Sequence, residues 1–461
     1  MSRLRTENLG GPAGRRSNVS VSFLENRFAL AAHGTNVRTE CVAGLTTFLT
    51  MAYIVFVQPA VLSVAGMDFG AVLTATCLAT AIATLLMALL ANYPIAVAPA
   101  MGHNFFFAYS VVVGMHVPWR VALGGVAIAG ALFVATSSIG LRERLITAIP
   151  TSMKHAIAAG IGLLIAMIGL QWAGLVVAAP GTLVTLGDLH SRPVLLATAA
   201  LTLTAILMAR RVAGALLWGI LASTAVGLSL GIVRYQGLAS MPPSLAPTFM
   251  QLSIGGAFAP GMVTVIFVFF FLALFDSVGT LVGVGSQAGF MKEGTLPRAR
   301  QALLADAIGT VAGAVLGTST VTAYIESGAG VAAGGRTGLA SVVTAALFLL
   351  ALFFHPLVRM IGGGFVVGTT TLYPVIAAPL ILVGTMMIGG LRHIEWDEPT
   401  EAIPAFLTIV MMPLAVSITE GVAFGLLAYA VLKLAAGRGR EVDPLIFVMA
   451  VLFVGRYIFL R

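Results

Sequence analysis

Long apolar runs separated by short polar breaks occupy almost the whole chain. They fall at 40–65, 70–92, 99–113, 118–138, 155–178, 194–209, 212–234, 259–285, 302–317, 322–333, 337–361, 370–391, 402–417 and 418–436. A helix needs about 20 apolar residues to cross the hydrocarbon core of a bilayer, and most runs approach that length. The pattern predicts an all-α polytopic membrane protein with fourteen transmembrane segments. A last apolar run, 444–459, is short and is followed by Arg461. We expect it to lie against the membrane within a carboxyl-terminal tail, 437–461; a further span is the alternative.

Two of the fourteen runs are too short and too interrupted for plain spanning helices. The third begins Ala-Pro-Ala-Met-Gly-His-Asn-Phe-Phe-Phe (98–107), and the tenth begins Thr-Ser-Thr-Val-Thr-Ala-Tyr-Ile-Glu (318–326). They stand seven segments apart, and an odd-numbered repeat unit must place its second copy upside down in the membrane. Paired broken segments in two inverted halves mark the central site of many transporters. The β-branched stretch Thr318–Thr322 predicts a short extended piece ahead of a half-helix. So does Ala96–Pro99, because the residue before a proline avoids the helical region.

Composition supports lipid as the solvent. Hydrophobic residues make up 59% of the chain and charged ones 9%, and the mean hydropathy is +1.02. This excludes a soluble enzyme with an anchor. Residues 1–39 form the only extended polar stretch. They hold six arginines and no apolar run before a small-residue cleavage site, so a cytosolic tail is expected rather than a signal peptide. Cys41 and Cys77 both fall in apolar runs and are expected to be small buried hydrophobes; no disulfide framework or metal spacing is present.

The net charge of +8 follows topology rather than a nucleic-acid surface. With the amino terminus cytoplasmic, the inner loops hold Arg142, Arg144, Lys154, Arg210, Arg211, Lys292, Arg298, Arg300, Arg336 and Arg392. The outer loops hold Arg120, Arg192, Arg234 and Arg359. Ten against four obeys the positive-inside rule, and Lys433, Arg438 and Arg440 then put the carboxyl terminus in the cytoplasm too.

Candidate chemistry is sparse, which makes each polar group inside an apolar run informative. Asp276 lies mid-span in Leu-Phe-Asp-Ser-Val-Gly-Thr-Leu (274–281), and Glu326 lies in the tenth segment. A carboxylate at membrane depth is expensive and by default faces a cavity, a ligand or a partner. The structural alternative is capping: Asp276 could cap a broken helix, and Glu326 its own half-helix. Asn104 starts the third segment's half-helix, where a cap and a ligand contact are compatible. His103 beside it titrates near neutrality, but a lone histidine in an apolar segment is more often structural. Asp306 is expected to pair with Arg298 and Arg300, and Glu420 to serve as a helix-start acid. Gly279, Gly283, Gly328, Gly330, Gly334 and Gly335 have no phosphate-loop context and are expected to allow close helix packing. No metal cluster or nucleophile–base pair is visible, so an intramembrane enzyme has nothing to work with.

At these residues the chain resembles a known family. Gly-Leu-Thr-Thr-Phe-Leu-Thr-Met-Ala-Tyr-Ile (44–54), the segment 274–281, and Gly-Thr-Ser-Thr…Tyr-Ile-Glu-Ser-Gly-Ala-Gly-Val-Ala-Ala-Gly-Gly-Arg-Thr-Gly-Leu (317–339) are similar to the AzgA-like purine permeases. These are a branch of the nucleobase/ascorbate transporter (xanthine/uracil permease) family. The similarity runs from about residue 23 to about residue 440. It implies two inverted seven-span repeats. It also implies a core domain of spans 1–4 (40–138) and 8–11 (259–361), with a gate domain of spans 5–7 (155–234) and 12–14 (370–436). It further implies uptake of guanine, hypoxanthine or adenine, usually with protons, and substrate contacts at Asn104, Asp276 and Glu326. The third span departs from the family's usual Ala-Pro-Gly-Met-Gly-Leu-Asn-Ala: Ala100, His103 and Phe105 surround Asn104 here.

The resulting expectation is a secondary active transporter in the inner or plasma membrane that takes up a purine base with protons and needs no cofactor. Two acids buried close together favour holding a proton, so either Asp276 or Glu326 would carry the coupling proton, with Glu326 favoured as the substrate ligand and Asp276 as the coupling acid. Phe105, Phe106 or Phe275 would stack on the ring, although phenylalanines more often pack. The bilayer and protons are its other partners, nucleic acid is not one, and a homodimer is compatible with the sequence. The main alternative is another solute on the same fold: xanthine or a urate-like acid, a pyrimidine or an anion, the last served by half-helix amino termini.

Overall fold

The computed structural model describes residues 24–139, 150–259, 261–291, 296–368 and 370–459. The first apolar run forms α1 (Val37–Met51) and α2 (Ile54–Val64) end to end. Next come α3 (Phe69–Leu86), strand β1 (Val97–Pro99), the half-helix α4 (Met101–Phe105), which continues as a wider π-helix through Gly114, and α5 (Trp119–Ile139). Then follow α6 (Thr151–Trp172), a hairpin of β2 (Val176–Ala179) and β3 (Leu183–Leu186), α7 (Arg192–Ala209) and α8 (Ala215–Ser229).

The second half repeats the order. It contains α9 (Met262–Gln287), α10 (Ala299–Leu316), β4 (Val321–Ala323) and the half-helix α11 (Ser327–Ala332). After it come α12 (Gly338–Ala351) with α13 (His355–Gly362), and a hairpin of β5 (Phe365–Val367) and β6 (Thr370–Leu372). The half closes with α14 (Ala377–Met387), α15 (Pro399–Leu414) and α16 (Ile418–Ala435), and α17 (Pro444–Phe459) follows. Among the described residues nine helices are long and apolar enough to cross a membrane. With the shorter α8, α14 and α15 and the two broken segments, they correspond to the fourteen runs expected from sequence.

The broken segments meet at the centre. β1 and β4 pair antiparallel, Ala98 opposite Thr322, so the half-helix after each strand starts at the middle and runs away from the other. Unpaired peptide groups at this depth cost several kcal/mol each, and threonines from corresponding helices satisfy the outer edges. Thr84 of α3 bonds both Val97 O and Val97 N at 3.0 Å, and Thr310 of α10 donates to Val321 O at 2.7 Å.

Helices pack in two groups. α1, α3 and α5 lie against α9, α10 and α12, while α6 packs with α14 and α15, α15 with α16, and α7 with α8 and α14. Lipid gives helices no hydrophobic reason to associate, so close approach matters. A Cβ on Gly44 would meet Ala340 O at 2.4 Å, and one on Gly338 would meet Ala88 O at 2.5 Å. α1 is also locked by Glu40, fully buried. Its carboxylate accepts from the backbone N–H groups of Arg336 at 2.8 Å, Thr337 at 3.3 Å and Ala340 at 3.2 Å, which, with Asn92 accepting from Gly338 N–H, caps the start of α12.

Two expectations are corrected here. Cys77 is buried but Cys41 is exposed: α1 turns Glu40, Ala43, Gly44, Thr47 and Met51 inward, which leaves Cys41 with Val42 and Leu45 on the outer face. Asp306 does not pair with Arg298 and Arg300. It is buried within α10, where the Ser277 hydroxyl donates to it. Arg300 donates to Ser138 O, and Arg298 covers the Tyr93 ring. Glu420 does lie in the first turn of α16, and the Tyr457 hydroxyl of α17 donates to it.

Charge pairs bind the start of α15 to the end of α16. Lys433 Nζ lies 3.0 Å from Glu401 and 3.1 Å from Glu441, and Arg438 reaches Glu441 at 2.7 Å and Glu398 at 3.1 Å. The Arg438 guanidinium, helped by Lys433, holds the Glu441 carboxyl down to about 2. A carboxyl depressed in the folded state stabilises it above the unfolded value of about 4.3 and loses that effect as pH falls. Pepsin cleavage within 436–443, measured against an unstructured reference peptide, should therefore rise between about pH 4 and about pH 2. Arg438→Gln should move the rise toward the upper end of that window. Separately, Glu40→Ala should lower stability by about 3 kcal/mol, because it strands three donors. Thermal unfolding in detergent is the check, and an unchanged midpoint would contradict the capping role.

Candidate functional site

All three polar residues singled out by cost converge on the segment Thr318–Glu326 that carries β4. Asp276, halfway along α9, accepts from the Thr322 hydroxyl at 2.9 Å. Asn104, on the first turn of α4, accepts at Oδ1 from the Ser319 hydroxyl. Glu326 stands at the head of α11 and accepts from the Tyr53 hydroxyl at 2.8 Å. The two carboxylates are close enough to interact electrostatically with each other and with the Tyr53 and Tyr324 hydroxyls.

Neither half-helix is capped by a side-chain hydrogen bond. The cap position of α4 belongs to Ala100, and no side chain caps it. Asn104 points instead across to Ser319, and its Nδ2 is buried with no acceptor among the described residues. Glu326 occupies the cap position of α11 without making a side-chain capping bond. An amide donor and two carboxylates, none consumed by helix ends, are thus left at the crossing of the half-helices.

Asp276 is exposed on α9. A Cβ placed on Gly279 would meet nothing within 4 Å, and one on Gly283 only Ile325 at 3.5 Å. These two glycines were expected to pack helices; with Asp276 and Ser286 they instead form an open strip on α9. A carboxylate turned to lipid would cost several kcal/mol, so we read this exposed strip, from Asp276 toward Gln287, as the wall of a cleft open to water. Gly328, Gly330 and Gly335 do allow close packing: Cβ atoms there would meet Gln287 at 2.6 Å, Thr47 at 2.1 Å and Ala43 at 2.9 Å.

The aromatic candidates separate. Phe275 is half-buried at the cleft, its ring 4.4 Å from that of Phe271. Phe105 is fully buried, stacked on Tyr109 at 5.7 Å and 6.2 Å from Trp172, and Phe106 meets Phe269 edge-on at 4.8 Å. Of the three, Phe275 alone offers ring surface to a ligand. His103 is buried and its Nε2 has no partner among the described residues; no contact joins it to the acids.

Sequence reasoning missed the hydroxyls and amide that hold these groups. Gln58 of α2 donates to Thr318 at 3.0 Å and Ser319 at 3.2 Å, fixing the turn that meets Asn104. Tyr324 donates to Pro99 O across the strand pair. Gln58 was findable by the argument used for the acids, as a lone amide in an apolar run. Tyr53 stands within 44–54, but nothing local marks it as a carboxylate partner. Among the described residues no cluster of three metal-ligating side chains occurs.

Comparison with known proteins agrees with this architecture. The model of the xanthine/uracil permeases, described as the permease family, matches residues 38–424. The chain is 45% identical over 439 residues to the adenine permease AdeP of Escherichia coli (strain K12), covering 95% of this chain and 96% of that one. It is 47% identical over 441 residues to the guanine/hypoxanthine permease PbuG of Bacillus subtilis (strain 168), covering 93% and 98%. Among solved structures, the transmembrane domain of the cyanobacterial bicarbonate transporter BicA superposes with a TM-score of 0.64 at 18% identity, covering 84% of this chain and 97% of that one. That likeness concerns the fold, two inverted seven-span repeats. The chain therefore belongs to the nucleobase/ascorbate transporter (xanthine/uracil permease) family, as a multi-pass membrane permease and not an enzyme.

Proposed function

We propose that the chain carries purine bases into the cell with protons, and that the base binds where the two half-helices meet. The observation that carries this reading is the convergence of Asp276, Glu326 and the unpartnered Asn104 amide on one segment beside the exposed strip of α9. A purine has a flat aromatic face and an edge of donors and acceptors. A carboxylate accepts two adjacent donors, such as the N1 and N2 groups of guanine, and an amide side chain both donates and accepts. Glu326 serves as the ligand for that edge, Asn104 completes it, and Phe275 stacks on the ring.

Asp276 is the coupling acid, loading a proton on the outside and releasing it along the cleft. The group of α1, α3, α5, α9, α10 and α12 acts as the core that carries the site. The group of α6–α8 and α14–α16 acts as the gate, and alternating access is their relative movement. The positive-inside count supports a cytoplasmic side for both termini. The relatives named for adenine and for guanine and hypoxanthine support a purine and leave the preferred one open.

Uptake of radiolabelled hypoxanthine into cells lacking their own purine permeases tests this, with and without an uncoupler and with excess guanine, adenine, xanthine or uracil. Saturable uptake that is lost with the uncoupler and blocked by guanine or adenine is the expected result. Block by uracil alone would move the substrate to pyrimidines. Asp276→Asn and Glu326→Gln should each abolish accumulation at equal protein in the membrane, and normal uptake by either would remove that residue from the site. Tyr53→Phe should raise KM about tenfold, since a hydrogen bond to a charged group is worth about 1.5 kcal/mol or more; an unchanged KM would make Tyr53 a packing residue.

A further inference from the structure

The acids at the crossing have hydroxyl partners but no counter-ion. Among the described residues neither Asp276 nor Glu326 takes part in an ion pair. Across the cleft, on the other helix group, stands Lys154 in the first turn of α6. Its ammonium lies 5.8 Å from the centroid of the Phe275 ring, and Phe275 adjoins Asp276. Lys154 is half-buried and itself makes no ion pair among the described residues. The contrast with Lys433 is instructive: that buried lysine is matched by Glu401 and Glu441 at 3.0 and 3.1 Å. The neighbouring His155 does not compete for the acids, because its ring stacks on His393 at 4.9 Å.

An unmatched cation held against the ring of the residue that precedes an unmatched acid, and carried on the other helix group, has a use. We propose that Lys154 is a positioning residue for proton coupling, the counter-charge that holds Asp276 as a carboxylate once its proton has left. The inference rests on the reading of Asp276 as the coupling acid. In the step, the Asp276 O–H bond breaks and its proton passes to a cleft water, leaving as hydronium. The electron pair stays on the carboxylate, and the Lys154 ammonium keeps its own protons. Coulomb attraction falls with distance and with the water admitted between the charges. Release is therefore favoured while the gate holds Lys154 near Phe275. When the gate swings and draws the lysine away, Asp276 reloads. Proton affinity is thereby tied to one arrangement of the two helix groups, which is what coupling requires.

The test uses the full chain in proteoliposomes with radiolabelled hypoxanthine and two readouts. One is accumulation driven by an imposed proton gradient. The other is equilibrium exchange, which needs binding and the conformational swing but no net proton movement. Lys154→Gln should reduce accumulation at least about tenfold, the effect of one pKa unit, while exchange falls far less. Lys154→Arg should restore most of the accumulation. On an Asp276→Asn background, Lys154→Gln should change exchange no further. Accumulation by Lys154→Gln at the parent level overturns the proposal. So does equal loss of accumulation and exchange in protein with an unaltered melting temperature, which would make Lys154 a binding or structural residue. If Lys154→Gln does not reconstitute, Lys154→Met is read in the same way. Accumulation by the parent chain that ignores the imposed gradient would instead refute proton coupling itself, a failure visible before any variant is compared.

Discussion

The structure depends on one constraint: peptide groups cannot be left unpaired at membrane depth. To bring a binding site to mid-membrane, the chain breaks two helices, and each break exposes backbone donors and acceptors. Pairing the breaks with each other resolves this. β1 and β4 satisfy one another across Ala98 and Thr322, and Thr84 and Thr310 serve the outer edges. The antiparallel pair in turn fixes which side chains face the crossing. Thr322 and Ser319 meet Asp276 and Asn104 because they flank and form that strand. The candidate site residues and the backbone pairing thus share one piece of chain.

Around that crossing the tight contacts and the open ones are segregated. α1 and α12 are held by Gly44 and the triple acceptance of Glu40, and Gly338 seats α12 against Ala88 beyond the end of α3. The strip Asp276, Gly279, Gly283 on α9 meets almost nothing. Between the two helix groups, Trp172 Nε1 donates to the Tyr109 hydroxyl at 2.9 Å, Ser110 donates to Val416 O at 3.0 Å, and Phe105 packs near Trp172.

Much of this was legible in the sequence, because lipid simplifies the signal. Each long apolar run became a helix, and the Pro99 and Thr318–Thr322 signals located both strands. The cost of a carboxylate at membrane depth picked out Asp276 and Glu326. What failed were statements about facing. Cys41 lies on the outer side of α1, and Gly279 and Gly283 lie on an exposed strip rather than in a contact. Asp306 turned to Ser277 instead of to the arginines near it in sequence. In a chain apolar on nearly all sides, helical periodicity no longer tells protein from lipid or from water. Partners such as Tyr53 with Glu326, 273 residues apart, leave no local trace.

The central claim is that the base sits at the crossing of the half-helices. It is tested most directly by an experimental structure of the full chain with guanine bound. The account predicts density for the base between α4 and α11, its edge on Glu326 and Asn104 and its ring against Phe275. A base lodged elsewhere, with Glu326 still bonded only to Tyr53 and the Asn104 amide still empty, would contradict it.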